Sequence, residues 1–285
     1  MRSALSNQRM ILIILANILM QLFYFIGAVI LVGFLIALIN RLFYRLFNGS
    51  RVVCYGTGFL GTPVHELSHA LMCLVFLHRI EEIKLFQIGD EDGVLGYVNH
   101  SYNRRNIYQV IGNYFIGVAP IIGGSLVLLL AMRFMAPTAF WDTFAYLDDY
   151  ALTLQLGFSG AMFTEGFSTI WGVISSIFTA MLVDGILWWV FLVIALCLSL
   201  HMNLSSADIK GSVAGCAILA GLLIVLNFIF GFTPIYNNYI SVMNFGGGYL
   251  FAILLLSLIF SLIMLAIGLI IKGIMMLFGL IFHRR

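Results

Sequence analysis

Long apolar runs separated by short polar stretches dominate the chain. The first, Met10 to Asn40, carries no charged residue. Further runs cover about Gly56–His78, Ile107–Met132, Gly185–Leu200, Ser212–Phe230 and Tyr249–Phe282. A helix crosses roughly 30 Å of hydrocarbon with about 20 apolar residues. The pattern therefore predicts an all-α polytopic membrane protein of about six transmembrane helices. Pro120 and the Gly123-Gly124 pair fall inside the third run, where neighbouring helices can satisfy the freed backbone groups.

Two stretches break the pattern. Residues 80–100 mix charges with β-branched positions around a Gly89–Gly93 turn signal, which predicts a β-hairpin lying on the membrane surface. Residues 134–183 carry Asp142, Asp148, Asp149 and Glu165 with no Lys or Arg, and are expected to form an extracytoplasmic loop with one or two interfacial helices.

Composition sharpens this picture. The chain is 62% hydrophobic and only 9% charged, with a mean hydropathy of +1.08, against about 25% charged in soluble domains. No polar linker divides residues 1–285, so a single integral membrane domain is expected. A net charge of +2 and the absence of a basic patch argue against nucleic acid as a partner. Cys54, Cys73, Cys197 and Cys216 have no C-x-x-C spacing and read as small buried hydrophobes. Lys and Arg in short loops favour the cytoplasmic side. Arg2, Arg9, Arg79, Lys84, Arg104, Arg105, Lys210, Arg284 and Arg285 place both termini and the hairpin there, in a cell membrane, while Arg41, Arg45 and Arg51 run against the trend.

The chemistry concentrates in His65-Glu66-Leu67-Ser68-His69, an H-E-x-x-H motif. At about 100° per helical residue, the two histidines lie about 40° apart on one face and can reach one Zn²⁺. Glu66 sits beside that face, where it can take a proton from a zinc-activated water. Two imidazoles and a carboxylate in a membrane run are costly unless paired or functional, although polar residues also join helices there. A catalytic zinc takes three protein ligands. His78, nine residues after His69, lies on the opposite helix face and reads as interfacial. Asp208 is either the third ligand or an N-terminal capping residue of the fifth span, and the residues alone weigh these readings equally. His201 is a further possibility, as a partner of a ligand or as a ligand itself.

The order of features resembles the site-2 protease family of intramembrane zinc metalloproteases. That family has H-E-x-x-H on one transmembrane helix, a membrane-associated hairpin or sheet, an Ala-Gly-Pro-like helix, and a later Asn-x-x-Pro and Asp-Gly element. His65–His69, residues 80–100, Gly117-Val118-Ala119-Pro120 and Asn203 through Asp208 stand in those places, so the likeness covers about 55–215. Here the fourth element lacks its prolines, is shorter, and reads Asp208-Ile209-Lys210-Gly211. The resemblance implies His65, His69 and Asp208 as zinc ligands, Glu66 as catalytic base, and Asn203 near the substrate carbonyl. It implies hydrolysis of peptide bonds in a transmembrane or membrane-anchored protein substrate, and the Lys and Arg topology puts the active site toward the cytoplasm. An inactive homologue acting as a membrane scaffold, a transporter with intramembrane His and Asp, and a lipid-modifying zinc hydrolase are the alternatives.

Overall fold

The computed structural model describes the backbone of residues 2–89, 93–155 and 159–282. It is an all-α architecture with one small two-stranded antiparallel sheet. In chain order the elements are α1 (Arg2–Leu22), a five-residue π-helical segment (Phe23–Gly27), α2 (Ala28–Leu46) and α3 (Arg51–Val75). Then come β1 (Arg79–Lys84), β2 (Tyr97–Ser101), α4 (Ile107–Met135), α5 (Pro137–Gln155) and α6 (Gly160–Thr179). A short 3-10 turn leads to α7 (Ile186–His201), α8 (Ser206–Gly231) and α9 (Tyr236–Phe282).

Among the described residues, five stretches are long and apolar enough to cross a membrane: Asn7–Leu46, Ile107–Met135, Gly160–Leu182, Ser206–Gly231 and Tyr236–Leu277. Large apolar side chains stay exposed along their outer faces, among them Leu12, Phe34, Phe163, Val213 and Ile270. Water would not tolerate that much exposed apolar surface, whereas lipid does. The chain is therefore membrane-embedded. The helices of the second and fourth apolar runs, α3 and α7, are not among the five. One carries the motif and its polar neighbours, and the other has only 16 residues.

The stretch 134–183, where one or two interfacial helices are expected within an extracytoplasmic loop, is helical over most of its length. It folds into α5 and α6, and Gly160–Leu182 is one of the five candidate spans. Tyr146 and Tyr150 of α5 lie directly over Gly172 and Gly166 of α6, so that a Cβ at either glycine would strike a tyrosine ring.

Helix α4 is the centre of the fold and packs against α3, α7, α8 and α9. Its Leu128 and Met132 join Trp188, Phe191 and Phe260 in the main core cluster. After α3, Leu77 adopts the left-handed region at φ 58 and turns the chain into the hairpin. The strands pair Ile83 with Val98 and Lys84 with Tyr97, with an irregularity between Ile80 and Glu82. Both strands are offset from the anticipated pattern, since β1 ends at Lys84 and β2 begins only at Tyr97. Gly89 and Gly93 have φ of +84 and +74, as a turn needs, while residues 90–92 of that turn lie outside the described residues.

Candidate metal centre

The site is assembled from α3, the α7–α8 junction and α4. His65 and His69 project from one face of α3, and their rings stand 4.8 Å apart centre to centre. Each Nδ1 meets a backbone carbonyl: His65 meets that of His201 at 2.6 Å, and His69 that of Ile116 at 2.8 Å. A carbonyl only accepts, so each Nδ1 carries a hydrogen and, in the neutral rings, each Nε2 keeps its lone pair. The two Nε2 atoms nevertheless point at each other across 3.1 Å. Asp208 Oδ1 lies 3.4 Å from His69 Nε2.

All three ligating atoms fall within 4.8 Å of one another. Ligands held at roughly 2.0–2.1 Å from one tetrahedral ion stand roughly 3.4 Å apart. Three converging lone-pair donors repel one another unless a cation lies between them. His65, His69 and Asp208 thus form a group that can hold a metal ion.

One proline, Pro120, and two glycines, Gly61 and Gly117, explain how the backbone delivers these groups. Pro120 has no N–H, so in α4 it leaves the carbonyl four residues back, that of Ile116, without its helical donor. His69 supplies that donor instead. Proline at N + 4 thereby creates the acceptor that fixes a ligand's tautomer. A Cβ on Gly61 would come within 2.5 Å of the Cys197 carbonyl oxygen, so glycine lets α3 and α7 approach closely enough for His65 to reach His201. On α4, Gly117 lies against Ser212 and the Asp208 carbonyl and brings the start of α8 beside the histidines.

Asp208 holds both geometries that the residues alone left open. Helix α7 stops at His201, and Met202–Ser205 breaks the helical path before α8. Ser205 is the N-cap of α8 and accepts the Asp208 N–H, while Asp208 Oδ2 accepts the Ser205 N–H at 2.8 Å. This capping box leaves Oδ1 for the metal group.

Glu66 is 5% exposed and lies between two cavities that share His65, Glu66, Gly96 and Ser205. The first, about 380 Å³, holds His69 and Asp208 and is bordered by the consecutive residues Tyr97 to His100. The second, about 320 Å³, holds Thr62, His201 and Asn203. Asn203, half-buried, thus lines the same cavity as Glu66. A larger cavity of about 650 Å³ between the α1–α2 rod, α4 and α8 is lined almost wholly by carbon and contains none of the ligating groups.

The ring of His201 is not part of the metal group. Its Nδ1 donates to the Cys197 carbonyl at 3.1 Å, and its contribution is its backbone carbonyl. His78 is remote as well. It donates from Nε2 to the Gln109 carbonyl, stacks on Tyr102, and meets His100 Nδ1 at 3.0 Å. His100, which borders the first cavity, is a residue that the motif analysis missed. No spacing rule links a strand residue to a helix motif 30 positions away. Gly96 was missed as well: a Cβ there would meet Glu66 Cγ at 2.9 Å and Thr62 Cγ2 at 2.8 Å, so the hairpin backbone lies directly on the candidate base.

Comparison with protein-family models, with curated proteins and with solved structures finds no match for the chain.

Proposed function

We propose that this chain is a zinc metalloendopeptidase that hydrolyses peptide bonds of membrane-embedded protein substrates, in the manner of the site-2 protease family it resembles. The observation that carries the reading is the convergence of the His65 and His69 Nε2 lone pairs and Asp208 Oδ1 immediately beside a buried Glu66. A borderline-to-hard donor set of two imidazoles and one carboxylate suits zinc with an open position.

When bound, zinc supplies a Lewis acid that polarises the scissile carbonyl and makes a water acidic near neutral pH. The remaining work belongs to the chain. Glu66 takes a proton from the attacking water on one carboxylate oxygen and later delivers it to the leaving amine. The Ile116 and His201 carbonyls hold both imidazoles in the ligating tautomer. Asn203 lines the cavity that Glu66 also borders, which supports a hydrogen bond from its side chain to the substrate carbonyl. The β2 segment borders the first cavity along several consecutive residues, which supports capture of an unwound substrate stretch by strand addition. The Lys and Arg distribution favours a cytoplasmic mouth for the site, in a cell membrane.

The test is cleavage of a transmembrane reporter by protein reconstituted with zinc, with Glu66→Gln as the control. Zinc-dependent cleavage that Glu66→Gln abolishes is the expected result. A zinc-loaded wild type that cuts nothing returns the scaffold or transporter reading. Release of a lipid product instead assigns a lipid hydrolase.

A further inference from the structure

The second cavity contains two polar atoms whose hydrogen-bonding capacity is unused. Thr62 Oγ1 and His201 Nε2 are both buried and have no partner among the described residues. Thr62 is 4% exposed, and both residues line the cavity beside Glu66. This is unusual for a helical threonine in an apolar setting, where a hydroxyl normally bonds back to the carbonyl one turn earlier. Its neighbours on the same helix do so: Thr57 bonds to Val53 at 2.8 Å and Ser68 to Val64 at 2.7 Å. Thr62 leaves the Gly58 carbonyl alone. The ring of His201 is oriented by its Nδ1–H on the Cys197 carbonyl, so in the neutral ring Nε2 presents a lone pair to which nothing among the described residues donates. Buried groups of this kind are satisfied in working proteins, by water or by a ligand.

We propose that Thr62 and His201 form a specificity subsite that selects a substrate residue with a neutral hydrogen-bonding side chain, Ser, Thr, Asn or Gln, next to the scissile bond. The inference rests on the peptidase reading and deepens it. The cavity shares Glu66 and His65 with the reaction centre, so its occupant flanks the bond that is cut. A hydroxyl or carboxamide can donate to His201 Nε2 and exchange a second bond with the Thr62 hydroxyl. A carboxylate offers no donor to Nε2 and is repelled by Glu66. An ammonium would stand close to the positive charge of the bound metal. An apolar side chain leaves both atoms buried and unpaired, which is what makes such a site discriminate.

The experiment uses lysine-flanked, leucine-rich peptides long enough to span a bilayer. They are presented in micelles as matched pairs, Thr against Val and Asn against Leu, at each position around the cut. Zinc-loaded wild type is scored for cleavage by mass spectrometry, and zinc-loaded Glu66→Gln for peptide capture. At one flanking position the polar member of each pair is expected to be favoured about three- to tenfold in both readouts, the range of one net neutral hydrogen bond. Thr62→Val should reduce that preference to near unity, whereas Thr62→Ser retains it, with metal content reporting that each variant is folded. If Thr62→Val loses its metal, His201→Leu makes the same comparison, since the carbonyl that holds His65 is kept. Peptides cut without preference at any position would overturn the subsite, make the cavity a water-filled vestibule, and leave the peptidase reading standing. If the zinc-loaded protein neither cuts nor captures any peptide, both readings fall together.

Discussion

Asp208 Oδ1 stands 3.4 Å from His69 Nε2 while the other oxygen of the same carboxylate caps α8 through Ser205. One side chain thus ties the start of a helix to the metal group, and the two roles can be separated by substitution. Asp208→Asn keeps an oxygen for the Ser205 N–H and loses the charge that a ligand needs. Its metal affinity should fall by more than the roughly 10–100-fold typical of an outer-sphere partner. Ser205→Ala should cost about 1 kcal/mol of stability through the lost cap and bind metal far better than Asp208→Asn. Competition titration with zinc and thermal unfolding measure the pair. Equal affinity in Asp208→Asn and wild type would remove Asp208 from the ligand set.

Glu66→Gln should bind metal as wild type does and lose roughly 10²–10⁴-fold in cleavage, the usual contribution of a general base. His65→Ala and His69→Ala should lose the metal itself. Metal analysis on the purified variants separates these outcomes. A Glu66→Gln protein that cleaves at the wild-type rate would show that the proton goes elsewhere.

Pro120→Ala tests whether proline prepares the Ile116 carbonyl for His69. Alanine is the better helix former by about 3 kcal/mol in an unconstrained helix, so stability alone would predict no harm. The restored N–H, however, competes for the oxygen that His69 Nδ1 uses at 2.8 Å. Metal affinity should therefore drop roughly 10–100-fold while helix content holds or rises. An unchanged zinc titration would mean that the Ile116 contact does not govern the ligand.

The hairpin should affect cleavage without affecting metal. Gly96→Ala places a methyl within 2.9 Å of Glu66 Cγ and 2.8 Å of the Lys84 carbonyl oxygen, so the ribbon must lift. Misplacement of this order costs up to about 10²-fold in rate. Val98→Pro and Leu85→Pro remove a backbone donor and should weaken cleavage more than alanine at the same positions. Zinc content is measured alongside. Proline and alanine variants that cleave alike would reduce the hairpin to a connector.

Acid should loosen the contact between the hairpin and α4. Burial lowers the pKa of His78 below its ordinary 6.5, partly offset by its bond to the Gln109 carbonyl, and burial lowers that of His100 as well. The folded chain therefore holds both rings neutral where the unfolded chain takes up protons. The stabilisation is complete above the ordinary value of 6.5 and is lost as pH falls below it toward the lowered values. Between about pH 7.5 and about pH 5.5, which spans the ordinary histidine range, the Tm of metal-free wild type should fall more than that of His78→Phe. Parallel losses in the two proteins would assign the acid sensitivity to other groups.

The sequence by itself determined the membrane environment, the helical class, the hairpin after the motif, and His65, Glu66 and His69 as a unit. These are local properties. Apolar run length reports bilayer thickness, and the i, i+4 spacing of two histidines reports one helix face whatever surrounds it. Tertiary structure decided what depends on distant segments. It packed the helices expected within 134–183 into the pair α5 and α6 and made the second of them a candidate span, because a helix pair is recognisable only through its packed face. It brought Asp208 to His69 and gave the Ser205 cap to the same carboxylate, two readings that sequence could only set side by side. It reduced His201 from a possible ligand to a backbone carbonyl and a cavity wall. It also joined His69 to Ile116 and Gly96 to Glu66, contacts that depend on a missing N–H and a missing Cβ. Their partners lie about 30 to 50 positions apart, a separation that only the packed fold closes.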